Sequence, residues 1–175
     1  YQWQSVTPKS IKVPIAQIGL VKQDNTKVSL YTCAGTTESA CTLDITGGDP
    51  SNPLLNQIIS GVSNIPTGTY NAVYFNSCVG NATGYTASFA AEATIESTRY
   101  ITTNTGVIAN STLEPASMSV FYSGCQRTYA LPQAVTIGEG TNKTFQFYFD
   151  KKNIAWLANG NSVTQNAWIP SGCNG

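Results

Sequence analysis

The chain has 175 residues, nine basic and nine acidic, and only 10% of its residues are charged, against roughly 25% in ordinary soluble domains. Such sparse, balanced charge excludes the basic face that a nucleic-acid partner needs. A hydrophobic content of 41% excludes a disordered chain and fits one domain with a real core and an extended arm.

The polar surface must come from Ser, Thr and Asn. Neutral groups of this kind are nearly insensitive to pH and salt, and they let copies approach without charge repulsion. They suit an exposed, extracellular protein. No stretch reaches the ~20 apolar residues of a membrane span. The chain starts at Tyr1, not Met, which predicts removal of an export signal.

The first patterned stretch is SIKVPIAQIGLV, residues 10–21. Ile11, Val13 and Ile15 share one face. Ile18 and Leu20 continue after a one-step change of phase, which predicts a bulge or a crossing between sheets. Pro14 has no N–H, so it must sit at an edge or a bend. Strands follow at 27–32 and 41–46. Residues 49–62 change period. Leu54, Leu55, Ile58, Ile59 and Val62 fall at helical spacing, with Asn52 as N-cap, Pro53 first in the helix and Gly61 ending it. Alternation then resumes at 69–76, 86–95, 99–109, 117–123, 134–138, 143–150, 153–158 and 162–169. The clearest strand is KTFQFYFD, where Phe145, Phe147 and Phe149 share a face. Turn residues punctuate these runs, as at Gln23–Asn25 and Gly138–Gly140. The pattern predicts an all-β sandwich of short, mainly antiparallel strands, with one helix at about 52–61 and an extended N-terminal strand. Residues 1–15 read as an arm or donor strand, and 16–175 as a single β-sandwich domain.

Within residues 11–76, a strand with a Leu-Asp pair, a short apolar helix and then Ile65-Pro-Thr-Gly-Thr-Tyr70 lead into a strand. This resembles the extracytoplasmic β-sandwich family of the transthyretin or carboxypeptidase-regulatory type, which carries L-P-A-G-x-Y at this place in bacterial and archaeal surface proteins. The resemblance implies fold and location, not chemistry. In physical terms, Pro66 sets φ, Gly68 supplies a turn conformation and Tyr70 starts the strand. In character, with its low charge, sequons, cysteines and apolar N-terminal strand, the chain also resembles archaeal surface threads and bundling pili. That resemblance implies β-sandwich subunits joined by donor strands.

The chain has no histidine, so Ser-His-Asp and Cys-His catalysis are excluded. No spacing marks a carboxylate pair for glycoside hydrolysis among the nine acidic residues. They read as solvated surface groups, and a two-carboxylate hydrolase is the weakest reading. Asp44 and Asp49 flank Gly47-Gly48, but the Asp-x-Asp-x-Asp-Gly calcium pattern is absent. No cofactor, metal or catalytic residue is therefore assigned. The five cysteines form no CxxC pair and read as disulfides. Cys33 and Cys41 flank a loop between two strands, as a hairpin clamp would. Cys78 and Cys125 each follow a strand and are candidates to cross-link neighbours. Cys173 is the odd thiol, either unpaired, bridged to another protomer or exchanged with Cys78 or Cys125. Asn81, Asn110 and Asn142 head Asn-x-Thr sequons.

Two functions compete. In the first, the chain is a non-enzymatic subunit of an extracellular filament or surface layer. Trp3, Ile11, Val13, Ile15, Ile18 and Leu20 then fill a groove in a neighbouring copy, and the partner is the chain itself. In the second, it is a stand-alone adhesion or carbohydrate-binding sandwich whose partners are surface glycans. Trp3, Trp156, Trp168 and the tyrosines would supply the stacking surfaces.

Overall fold

The structure is a computed structural model that describes residues 3–45, 65–140 and 155–158. It is built from strands β1 (Trp3–Val6), β2 (Ser10–Pro14), β3 (Gln17–Lys22), β4 (Lys27–Thr32), β5 (Thr42–Asp44), β6 (Gly68–Asn76), β7 (Gly84–Ala90), β8 (Glu92–Ile95), β9 (Thr98–Thr103), β10 (Gly106–Ala109), β11 (Met118–Ser123), β12 (Gln126–Ile137) and β13 (Ala155–Ala158). The only helical element among the described residues is a 3-10 turn at Ser39–Cys41. The helix expected at 52–61 and the strands expected at 143–150 and 162–169 lie outside the described residues.

The fold is an all-β sandwich, as the alternation predicts. One four-stranded sheet runs β11-β7-β2-β5 and a second runs β12-β6-β3-β4. A three-stranded sheet, β10-β9-β8, and the pair β1-β13 complete it. Among the described residues all ladders are antiparallel. The chain passes between the two four-stranded sheets at Ile15–Ala16, at 33–41, at 77–83 and at Gly124–Cys125, and a fifth passage, from β5 to β6, runs through residues outside the described ones. The ladders Gln17↔Thr32, Gln17↔Asn76, Gln126↔Asn76 and Pro14↔Thr42 place the first four of these at one end of the sandwich.

Three apolar clusters follow from which face each strand buries. The first joins Ile11, Ala87, Phe89 and Met118 of the first sheet to Ala93 and Ile95 of β8, Val6 of β1 and Leu157 of β13. The second lies on the other four-stranded sheet around Leu20, Leu30, Tyr70 and Ile137. The third sits at the crossing end. There Ile15 and Ile18 pack with Val13 and Leu43 from one sheet and Tyr31, Val73 and Phe75 from the other. The phase change between Ile15 and Ile18 is therefore a change of sheet, and a register shift between Ile18 and Gly19 adds a bulge in the β3–β4 ladder.

Gly19 permits close packing there. A Cβ would lie 2.3 Å from the Val28 carbonyl oxygen and 2.4 Å from the Tyr74 ring. The Ile65–Tyr70 motif has an equally local cause. Gly68 takes φ +152°, where side chains are strained. Tyr70 is fully buried, and its hydroxyl donates to the Pro66 carbonyl at 2.6 Å, so the ring enters the core with its polar end satisfied.

Three expected strands differ in extent. Residues 86–95 divide at Ala91 into β7 and β8, because Ala91 bonds sideways to buried Thr102. The Ala91 N–H donates to Thr102 Oγ1 at 3.0 Å, and the Thr102 N–H donates to the Ala91 carbonyl at 3.0 Å. Residues 99–109 fold back as the hairpin β9–β10, where Thr103 Oγ1 donates to the Gly106 carbonyl at 2.8 Å across the turn. The run at 134–138 is the tail of a strand 12 residues long. Its Pro132 sits in a register shift between Ala130 and Val135, which the edge position of β12 allows.

Candidate functional site

The arm expected at the N-terminus occupies the middle of a sheet. β2 lies between β7 and β5, with Ser10↔Ala90, Ile11↔Phe89 and Lys12↔Ser88 on one side and Lys12↔Asp44, Val13↔Leu43 and Pro14↔Thr42 on the other. The Lys9 N–H extends the first ladder to the Ala90 carbonyl at 2.7 Å, and the Ile45 N–H closes the second on the Ile11 carbonyl at 3.0 Å. β1 continues the arm beside β13, from Trp3↔Ala158 to Val6↔Ala155. Taken without the arm, the remaining strands enclose a slot with two hydrogen-bonding walls. Its apolar floor is Ala87, Phe89, Ile45 and Met118.

Alternation gives β2 two different faces. Ile11, 2% exposed, and Val13 face the floor. Lys12 faces outward into a cleft of about 560 Å³ shared with Glu38, Asp44, Thr42, Thr86 and Ser88. Glu38 reaches over the slot, and its Oε2 accepts the Thr86 N–H at 3.2 Å. Lys9 lies 3.4 Å from Glu92 Oε1 and 3.3 Å from Glu114 Oε2. Arg99 fixes that group. It is ion-paired with Glu92 and donates from Nη1 to the Leu113 carbonyl at 2.7 Å.

Pro14 ends β2 at the bend, which resolves its missing donor. The next two residues hand the chain to the other sheet. The Ile15 N–H donates to the Cys41 carbonyl at 2.9 Å, and the Ala16 N–H to the Asn76 carbonyl at 2.8 Å. Of the residues expected to form a donor strand, Trp3 lies in β1, and Ile11 and Val13 lie in β2. Ile15 lies at the crossing. Ile18 and Leu20, both 0% exposed, belong to β3 and to the second sheet.

Cys33 is bridged to Cys41 and Cys78 to Cys125, with S–S distances of 2.04 Å and 2.09 Å. The first bridge is not a hairpin clamp, because β4 and β5 belong to different sheets. Instead it ties the wall strand β5 to the second sheet. The second bridge lies just beyond the Asn76↔Gln126 pair of β6 and β12 and staples two of the crossings. Cys173 lies outside the described residues. Both bridges fit an oxidising compartment, and among the described residues no helix is long and apolar enough to cross a membrane.

The other expected sites stay apart from the slot. Asn81 is exposed on a turn in which the Ala82 N–H donates to the Val79 carbonyl at 3.3 Å. Asn110 Oδ1 accepts the Thr112 and Leu113 N–H groups at 2.8 Å and 2.7 Å. Asn142 and Trp168 lie outside the described residues, and Trp156 lies in β13. Tyr70 and Tyr74 are core residues. Among the described residues, no three acidic or cysteine side chains cluster as a metal site would require. No family model, curated protein or solved structure matches the chain.

The electrostatics predict a flat pH response at neutrality. Hydrogen bonding from Arg99, aided by its charge and by Lys9, holds the Glu92 carboxyl below its usual range. The Thr26 amide does the same for Asp24. The hydrogen bond to Glu114 raises Lys9, and burial pushes up the Tyr70 and Tyr74 phenols. Depressed carboxylates stabilise the fold above their unfolded pKa of about 4, and that contribution is lost as pH falls through the lower folded value. The raised lysine stabilises below its unfolded pKa and stops doing so as pH climbs through the folded one. The buried tyrosines oppose folding above about pH 10. With no histidine, the Tm is expected to be level from about pH 5 to 9 and to fall on both sides. A steep slope between pH 6 and 7.5 in scanning calorimetry would contradict this.

Proposed function

We propose that this protein is a non-enzymatic structural subunit of an extracellular filament or surface layer, in which β1 and β2 of one copy fill the slot of the next. One observation carries the reading: β2 is a middle strand, and it leaves its sheet through the two-residue crossing Ile15–Ala16. Residues 3–14 contain no cysteine, so no disulfide ties the arm to the body. The same strand from a second copy makes the same ladder and buries the same Ile11 and Val13. A short crossing favours such exchange between copies. Head-to-tail insertion does not close on itself, so it propagates. The neutral hydroxyl-rich surface and the two disulfides support an extracellular setting.

The test is a pair of cysteines placed in register, Ser10→Cys with Ala90→Cys. Oxidised polymer is expected to run as a ladder of covalent oligomers on a non-reducing denaturing gel, unlike the unsubstituted protein. A purely monomeric band with an internal bridge would overturn the reading. The second reading, a stand-alone glycan-binding sandwich, rests on Phe121. It is 67% exposed and lies opposite Thr86 at the rim of the polar cleft. A stable monomer whose glycan binding is lost in Phe121→Ala is its signature.

A further inference from the structure

Charge is scarce in this chain, yet it is concentrated around the arm. Residues 1–14 carry two lysines, Lys9 and Lys12, and no acidic residue. The rest of the chain has seven basic against nine acidic residues. Four of those nine carboxylates stand at the slot: Glu92 and Glu114 around Lys9, and Asp44 and Glu38 around Lys12. The two lysines are three residues apart, so they meet the rim at separate points along the strand.

We infer that these lysines and carboxylates form a recognition key, which admits the arm of a second copy of this chain and sets its register. The inference rests on the strand-insertion reading above. The apolar floor and the ladders cannot set register alone. A two-residue slip of β2 keeps Ile11 and Val13 on the floor side, because the side-chain period is two. The same slip takes Lys12 away from Asp44 and Lys9 away from Glu114. Both groups lie at the solvent-facing rim, where ion pairs add little to affinity but much to encounter rate and to rejection of wrong partners. The key therefore acts on how fast and in what register an arm enters. Its occupant is an extended segment with lysines at the spacing of Lys9 and Lys12 and apolar residues at the alternate positions. This chain's own arm has that pattern.

The experiment uses full-length chains in two reversed forms. The arm form carries Lys9→Glu and Lys12→Glu. The slot form carries Asp44→Lys and Glu114→Lys. Glu38 and Glu92 are kept, because each also bonds within the body. The arm form alone is expected to elongate at least tenfold more slowly than the unsubstituted chain, and the slot form several-fold more slowly. An equimolar mixture is expected to recover, with the two forms alternating, since each arm then meets a slot of opposite charge. A chain carrying all four substitutions is expected to polymerise by itself. Raising the salt to about 1 M, where screening acts over roughly 3 Å, is expected to slow the unsubstituted chain.

Arm-form chains that elongate as fast as the unsubstituted protein would overturn the key. So would a mixture no faster than the arm form alone. An unsubstituted chain that stays monomeric instead sinks the filament reading and, with it, the second copy as occupant. In that monomer, amide hydrogen exchange across β2 still reads the key separately. The arm form must exchange faster and the fourfold variant must recover, and unchanged exchange overturns it.

Discussion

Removing residues 1–14 is expected to abolish filament formation and to destabilise the domain by about 5 kcal/mol, from the loss of two or three side chains at ~1.5–3 kcal/mol each. Those side chains are Val6, 7% exposed, Ile11, 2% exposed, and the partly buried Val13. The loss is a large part of the 5–15 kcal/mol that typically holds a domain folded. It also strips both slot walls of their ladder partners, and β5 has no other strand partner among the described residues. The truncated chain is therefore expected to melt about 10–20 °C lower or to be unfolded at room temperature. A peptide of residues 1–16 added in excess should raise the melting temperature again, because the ladder and the apolar contacts act without a covalent link. Sedimentation velocity and thermal melting follow both effects. A truncated chain that still assembled as the whole protein does would refute the assembly mechanism.

The sequence shows the strands well, but it does not show which sheet each one joins. The alternation in 27–32, 69–76 and 117–123 matches β4, β6 and β11 nearly residue for residue, because β4 and β11 each bury the side chains of one face. Pairing is a non-local property, and period two is the same in every sheet. Hence 86–95 reads as one strand, although Thr102 takes hold of Ala91 and breaks it in two. The Cys33–Cys41 loop likewise reads as a hairpin until β4 and β5 are seen in separate sheets. The first half of β12 escapes pattern reading because Gln126, Arg127 and Thr128 open it with a polar run and Pro132 reads as a break.

The slot is legible in part. Pro14 marks the bend, and the phase change from Ile15 to Ile18 marks the crossing, both from covalent geometry and side-chain period alone. The rim is not legible, since Glu38, Asp44, Glu92 and Glu114 are scattered along the chain and converge only in three dimensions. The one signal available was the bias of the arm itself, with two lysines and no acid in its first 14 residues.

The two disulfides are expected to separate stability from assembly. In the chain-entropy account, a bridge stabilises more when it closes a longer loop. Cys78–Cys125 spans a sequence separation of 47 and Cys33–Cys41 a separation of 8, which corresponds to about 4 and about 2.5 kcal/mol. Replacing Cys78 and Cys125 by Ser should therefore shift the urea midpoint further than replacing Cys33 and Cys41. Assembly should rank them the other way. Cys41, 1% exposed, leads directly into β5. Its bridge to Cys33 shortens the tether between that three-residue wall and the second sheet, holding the two Cα atoms 5.8 Å apart whenever the slot stands empty. Without the bridge, the wall is held by Glu38 on the Thr86 amide, by buried Ile45 and by the packing of Leu43 on Ile15 and Ile18. The Cys33→Ser/Cys41→Ser variant is thus expected to remain folded with its own arm in place, yet to lose filament yield at least fivefold. A slot must wait open for an incoming strand, whereas a filled slot supports its own walls. Equal losses of assembly in the two variants, or a larger loss in Cys78→Ser/Cys125→Ser, would show that β5 is not the element on which insertion depends.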